Sequence, residues 1–206
     1  MKKKSFDREA ELMDAAMDEF ISKSYEEASL NRIIKNAGIG KGTFYYHFKD
    51  KQALYLSLIQ SIAEVKIEFM SRKIADFHPE SKDMDFFENF RLQSRLGLEF
   101  IKDYPRYYLL GMMYRREKGN KIYETAKIML GDTTEKYFEE LLDNAIKNGD
   151  LRTGISREFC LRILSFLCTR YDEIFDVTED AQDFDTMLRD LDDLIDFIQY
   201  GMGKRE

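Results

Sequence analysis

Only two of the 206 residues are proline, and no segment alternates apolar and polar side chains as a half-buried strand would. Apolar residues recur instead at spacings of three and four, which place them along one face of an α-helix. The chain can therefore be laid out as helices almost from end to end, and the spacing predicts an all-α fold of about nine. The first runs over Arg8–Ser22. Ser29 caps a short second helix ending at Asn36, and a third covers Lys41–Phe48. Asp50 caps a long fourth helix reaching about Ala75. After a break at His78–Pro79, five more span Asp83–Lys102, Pro105–Glu117, Asn120–Lys147, Arg157–Val177 and Phe184–Met202. Pro105 suits a first helical turn, where its missing N–H costs nothing. With 44% hydrophobic and 34% charged residues the chain is neither disordered nor membrane-embedded. No run approaches the roughly 20 apolar residues of a membrane span, and no hydrophobic signal core follows the MetLysLysLys start. A cytoplasmic protein is expected. Two cysteines, Cys160 and Cys168, make no disulfide framework; they read as buried structural thiols or as a redox sensor.

The formal net charge of −7 argues at first against a polyanionic partner, but the charges are not evenly spread. Between residues 32 and 51, Arg32, Lys35, Lys41, Lys49 and Lys51 face Asp50 alone, a net +4. Between 170 and 197, two arginines meet eleven acidic residues, a net −9. The acidic stretch reads as a solvated face, with Asp190, Asp192, Asp193 and Asp196 turned outward. The basic island coincides with Ser29–Phe48, SLNRIIKNAGIGKGTFYYHF. There a short helix with Leu30, Ile33 and Ile34 inward meets a turn at Gly38 and Gly40, and a second short helix follows. That is the anatomy of a helix-turn-helix, whose second helix enters the DNA major groove by its N-terminal end. Lys41 and Thr43 lie in its first turn, within reach of base edges and with backbone N–H groups able to face phosphate. Tyr45, His47, Lys49 and Lys51 can hold phosphates, and Phe44 and Phe48, four apart, pack inward. The plainer alternative makes Tyr45, Tyr46 and His47 packing residues of a small helical core, Tyr46 above all.

The segment Leu12–Leu54 resembles the N-terminal DNA-binding domain of the TetR/AcrR family of bacterial transcriptional repressors. The resemblance rests on Ala15, Ala16 and Phe20, on Ile33, on the run from Ala37 to Phe48, and on Lys51 and Leu54. It implies that Asn31, Lys41, Gly42 and Thr43 approach bases or adjoining backbone and that Thr43, Tyr45, His47 and Lys51 clamp phosphates; Arg32, Tyr46 and Lys49 of the same segment complete the expected DNA-facing set. Three positions depart from the family pattern: LysSerTyr at 23–25 lacks a glycine, Ile34 replaces an alanine, and Gly40 stands where a capping serine is common. The resemblance further implies residues 1–50 as the helix-turn-helix domain and residues 51–206 as an effector-binding and dimerisation domain joined to it by the long fourth helix.

The later segments offer material for both roles. Phe87, Phe90, Phe100, Tyr104, Tyr107, Tyr108, Met112, Met113, Tyr123 and Met129 can line an apolar effector cavity, or they can form an ordinary bundle core. Arg115, Arg116 and Glu117 read as solvent-facing. Phe159, Ile163, Phe166 and Leu167, with Leu188, Leu191, Leu194, Ile195 and Ile198, give two broad apolar faces suited to a core or to a twofold four-helix dimer interface. An enzyme is not expected: with His47 and His78 as the only histidines, there is no metal-ligand cluster and no nucleophile–base constellation, and no cofactor is implied. The expected protein is a homodimeric repressor that binds a palindromic double-stranded operator and is released by a small, partly apolar effector. The alternative is a helical interaction scaffold or small-molecule-binding protein without DNA binding.

Overall fold

The computed structural model describes residues 2–77, 84–131, 133–169 and 184–203. Among these lie ten α-helices: α1 Lys2–Ser22, α2 Leu30–Asn36, α3 Lys41–His47, α4 Lys51–Phe77, α5 Phe86–Asp103, α6 Pro105–Arg116, α7 Lys121–Leu130, α8 Thr133–Asn148, α9 Arg157–Thr169 and α10 Phe184–Met202. Apart from one bridge between Leu151 and Gly203, the described residues hold no β-structure. The all-α expectation holds. The count rises to ten because the single helix expected over Asn120–Lys147 is two. Gly131, with φ 68°, closes α7 and turns the chain before α8 begins. α1 starts six residues before the expected Arg8. The His78–Pro79 break, and positions 170–177 of the helix expected over Arg157–Val177, lie outside the described residues, as does the Cys168 side chain.

Cα packing divides the chain into two units. One takes the chain up to Glu68 together with Tyr104–Gly131; the other takes Phe69–Asp103 and the chain from Asp132 onward. The first unit has α1 against α2 and α6. Leu12, Ala16 and Phe20 of α1 form the predicted buried stripe. They meet Ile33 and Ile34 of α2, Phe44 of α3, Leu54, Tyr55, Leu58 and Ile59 of α4, Leu110 of α6, and Ile122 and Ala126 of α7. At about 1.5–3 kcal/mol for each fully buried large apolar side chain, this cluster dominates what holds the three short N-terminal helices together.

In the second unit α5 packs on α10 and α8, and α8 on α9. α5 opens with a reciprocal capping box. The Glu88 N–H donates to Asp85 Oδ1 at 2.8 Å, and the Asp85 N–H to Glu88 Oε2 at 3.0 Å. α10 buries Met187, Leu191, Ile195 and Ile198, a stripe at helical spacing. Two of the acidic residues expected in open solvent are tied down. Asp192 accepts from Arg91 at 2.9 Å and Arg95 at 2.6 Å, and Asp196 accepts from Arg91 at 2.6 Å. The acidic face of α10 thus helps seat α5.

Candidate nucleic-acid interface

The α2–turn–α3 segment is built by local chemistry that the residues dictate. Ser29 Oγ accepts the Arg32 N–H at 3.4 Å, capping α2 as expected. The chain reverses at Gly38, whose φ of 63° is the left-handed conformation that glycine adopts without Cβ strain. The Gly38 and Ile39 N–H groups close the turn onto Lys35 O at 3.1 Å and Ile34 O at 3.3 Å. Gly40 is the N-cap residue of α3 and supplies no side-chain cap bond.

α3 has one inward anchor. Phe44 is fully buried, its ring centroid 6.2 Å from that of Phe48. This pins the helix and turns its other faces out: Lys41 and Gly42 are exposed, Tyr45 is 59% and Tyr46 79% accessible, and Thr43 is half-buried. Tyr46 is therefore not a core residue, and the packing alternative fails there. His47 behaves differently. Its side chain is 9% accessible, with Nδ1 3.5 Å from Glu9 Oε2 of α1. On α2, Asn31 and Arg32 are exposed, and the Arg32 guanidinium lies 3.5 Å from the buried Glu19 carboxylate. Glu19 also accepts the Ser29 N–H at 2.8 Å, so it braces the start of α2.

Lys49 is exposed, and Asp50 caps α4 by accepting the Ala53 N–H at 2.8 Å. Lys51 has a structural task. Its ammonium donates to Tyr25 O at 2.6 Å, Ala28 O at 3.0 Å and Glu26 O at 3.4 Å, and sits 4.5 Å over the Tyr25 ring. All three of its N–H donors serve the α1–α2 turn.

A compact helical unit with a basic, aromatic second helix presented to solvent is what a major-groove reader requires. Residues 12–58 match the family model of bacterial regulatory proteins of the tetR family. The segment from α1 into α4 is thus similar to the DNA-binding domain of that family. An HTH-type transcriptional regulator of Staphylococcus aureus (strain USA300) is 30% identical over 106 residues, 50% of this chain and 57% of that protein. The chain thus spans little more than half the length of that relative. Solved TetR-type structures extend the likeness of fold to nearly the whole chain. A TetR-family regulator from Chloroflexus aurantiacus superposes with a TM-score of 0.75 at 24% identity, over 96% of this chain and 94% of that one. The regulator FadR from Bacillus subtilis, solved with stearoyl-CoA, gives 0.69 at 13% identity over 90% and 96%. A ketosteroid transcriptional regulator of Mycobacterium tuberculosis gives 0.68 at 16% over 96% of both. At such identities these matches establish fold only.

The residues expected to line an effector cavity of this TetR-type fold fall in both packing units. Phe87 and Phe90 are buried in the second unit's core, and Phe100 is buried there with its ring edge-on to Phe69 at 5.6 Å. Tyr104, Tyr107, Tyr108, Met112, Met113 and Tyr123 are half-buried in the first unit, and Met129 is exposed. Tyr123 stacks on Tyr114 at 4.8 Å, where burial and then Tyr123 push the Tyr114 hydroxyl up to about 12. Glu117, expected in solvent, is 4% accessible. Of the expected interface residues, Leu191, Ile195 and Ile198 are buried within their own unit; Ile163, Leu167, Leu188 and Leu194 are half-buried; Phe159 and Phe166 are exposed. Phe197 at 78% and Tyr200 at 79% are more exposed still. Neither was singled out from the sequence, yet both sit off the 187–191–195–198 stripe, which is the signal that could have found them.

Proposed function

We propose that this chain is a regulator of the TetR family, one that responds to a ligand, represses transcription as a homodimer on a palindromic operator and is released by a small, partly apolar effector. The observation that carries the reading is α3 itself: a seven-residue helix with Phe44 fully buried beneath it, and Lys41, Gly42, Tyr45 and Tyr46 turned outward. Residues 1–50 read DNA. Lys41, Gly42 and Thr43 approach base edges, Asn31 and Arg32 flank them, and Tyr45, Tyr46 and Lys49 meet the backbone, with His47 and Lys51 bracing the reader. Residues 51–206 hold the effector and the dimer interface. The dimer forms on α9 and α10 through Phe159, Ile163, Phe166, Leu167, Leu188 and Leu194, to which we add Phe197 and Tyr200. A stearoyl-CoA complex in one structural neighbour and a ketosteroid regulator in another support an effector that is at least partly apolar. Release is a population shift, with α4 as lever: the effector favours a spacing of the two readers that adjacent major grooves cannot accept. The regulator acts in the cytoplasm, beside its DNA. No described helix is long and apolar enough to cross a membrane.

Selection of duplexes from a random-sequence pool by the purified full chain tests this. The expected product carries two inverted half-sites with centres about 10–10.5 bp apart or a multiple of that, and binding falls steeply with salt. Enrichment of no duplex at low salt refutes the function.

A further inference from the structure

Two charged side chains are buried among the described residues, Glu19 and Glu117. Glu19 has Arg32 as counter-charge. Glu117 has no ion-pair partner among the described residues, and it stands at the C-terminal end of α6, where the helix dipole opposes a negative charge. Its oxygens are taken by two short hydrogen bonds instead. Oε1 accepts the backbone N–H of Tyr25 at 2.6 Å, and Oε2 accepts Asn120 Nδ2 at 2.6 Å. A buried carboxylate so placed is expensive, and it reaches across a sequence separation of 92 residues to meet one backbone amide.

That amide is a strategic one. Tyr25 lies in the turn between α1 and α2, and its carbonyl accepts from Lys51 at 2.6 Å. The two backbone polar groups of Tyr25 are thus gripped from opposite sides, by an anion from the end of α6 and a cation from the start of α4. Both bonds are charge-assisted. The Tyr25 ring is held as well, at 6.3 Å from Phe20 and 5.0 Å from Tyr55. Lys51 reaches on to Ala28 O, next to the Ser29 cap that starts α2. The direction in which α2 leaves this turn sets where the Gly38 turn delivers α3. A second bond network joins α6 to the reader at its other end, where Arg106 pairs with Asp14 and, at 2.6 Å, with Asp18 of α1.

We propose that Glu117 is a positioning residue for DNA reading: through the Tyr25 N–H it anchors, from α6, the turn that orients α2 and α3. This role rests on the DNA-binding function proposed above. The hydrogen bond, not the bulk of the side chain, is what matters. The substitution Glu117→Gln keeps the reach, its amide oxygen accepting from Tyr25 and its amide nitrogen donating to a reoriented Asn120 side chain. Glu117→Asp keeps the charge and loses the reach by one methylene, and Glu117→Ala loses both.

The full-length wild type and the three variants are compared on one duplex, that selected by the wild type, with affinities expressed per folded protein from circular dichroism. Amide hydrogen exchange at Tyr25 is read beside amides of α8 as an internal reference. Glu117→Gln is expected to bind within about twofold of wild type. Glu117→Ala and Glu117→Asp are expected to bind at least about tenfold more weakly, with Tyr25 exchange accelerated and α8 exchange unchanged. Should the alanine variant fail to fold, the aspartate and glutamine variants carry the comparison. Wild-type affinity in Glu117→Asp overturns the proposal, as does a loss of affinity with Tyr25 protection intact. A wild type that selects no duplex refutes DNA reading itself and this role with it, an outcome distinct from loss confined to the variants.

Discussion

Gly42 offers the sharpest separation of fold from function in the reader. It sits at the second position of α3, exposed, in an ordinary helical conformation, and a Cβ built there meets nothing within 4 Å. Nothing in the fold therefore requires glycine. Its presence in a helix costs roughly 0.5–1 kcal/mol relative to alanine, because the unfolded chain loses more freedom on ordering. For a chain of this size 1 kcal/mol shifts the melting temperature by about 2–4 °C. Gly42→Ala should accordingly raise it by about 1–4 °C. On the proposed reading the missing side chain lets DNA approach the first turn of α3. A methyl group there disturbs one contact per half-site, at about 1 kcal/mol, the low end of what one imperfect contact costs. Two half-sites make that about 2 kcal/mol, or roughly thirtyfold in operator affinity. The assay is a melting curve and an equilibrium titration on the selected duplex. Stability and affinity are expected to move in opposite directions, which no general loss of fold can produce. A variant that is more stable and binds the operator as well as wild type refutes the close approach, and a less stable variant refutes the premise that the fold tolerates a side chain there.

Four further outcomes follow from the same geometry. Lys51→Ala leaves three carbonyls of the α1–α2 turn without their charged donor and should cost about 1.5–3 kcal/mol in urea unfolding; an unchanged midpoint contradicts the bracing role. Lys49→Ala should flatten the salt dependence of operator binding by about 0.9 per subunit in log–log slope, checked by titration at several salt concentrations. Phe166→Asp should yield a folded monomer by sedimentation, since Phe166 is 54% exposed within the single chain, whereas Ile195→Asp, at 0%, should not fold. Burial of Asp192 would raise its carboxyl, but hydrogen bonds from Arg95 and Arg91 outweigh this and leave it lowered. A lowered folded-state value contributes stability fully above the unfolded value of about 3.9, lost as pH falls through the folded one. Arg91→Met should therefore flatten the acid limb of an unfolding titration below about pH 4 and leave its neutral region the same shape.

Helical periodicity carried the fold a long way. Ser29, Gly38, Asp50 and Pro105 mark boundaries through local chemistry, and the structure places helix ends beside all four. Gly131 carried the same kind of stop signal, yet the apolar spacing runs on through it. Two helices in different packing units consequently look like one. The reader was legible because it is short-range: Phe44 inward follows from its four-residue spacing to Phe48, and Lys41 outward from its charge. What stayed hidden is long-range. Nothing in the order of residues says that Glu117 meets Tyr25, that Arg106 reaches Asp14, or that α6 and α7 share a core with α1. The same limit applies to the apolar face of α10. Periodicity groups Leu191, Ile195 and Ile198 and leaves Phe197 and Tyr200 off their stripe, but only the packing of α5 and α10 tells that the stripe faces inward.

The charge pattern gains meaning from these partners. The island of +4 counts five cations, but two are engaged within the protein, Arg32 beside Glu19 and Lys51 on three carbonyls. Exposed cations without such an engagement in the island are Lys35, Lys41 and Lys49. Even if all three neutralised phosphate, the log–log salt slope would be only about −2.7 for one reader and about −5.4 for two. On the proposed function a single reader is weakly held at physiological salt, and operator occupancy would depend on joining two of them. The proposed dimer surface on α9 and α10, where Phe159, Phe166, Phe197 and Tyr200 are exposed in the single chain, would then carry the burden of affinity. On the same reading a chain with a net charge of −7 could bind DNA without distributing basic residues widely. A few cations, rigidly presented twice, do what many diffuse ones would otherwise do, and any ligand that alters their spacing alters the whole of the electrostatic term at once.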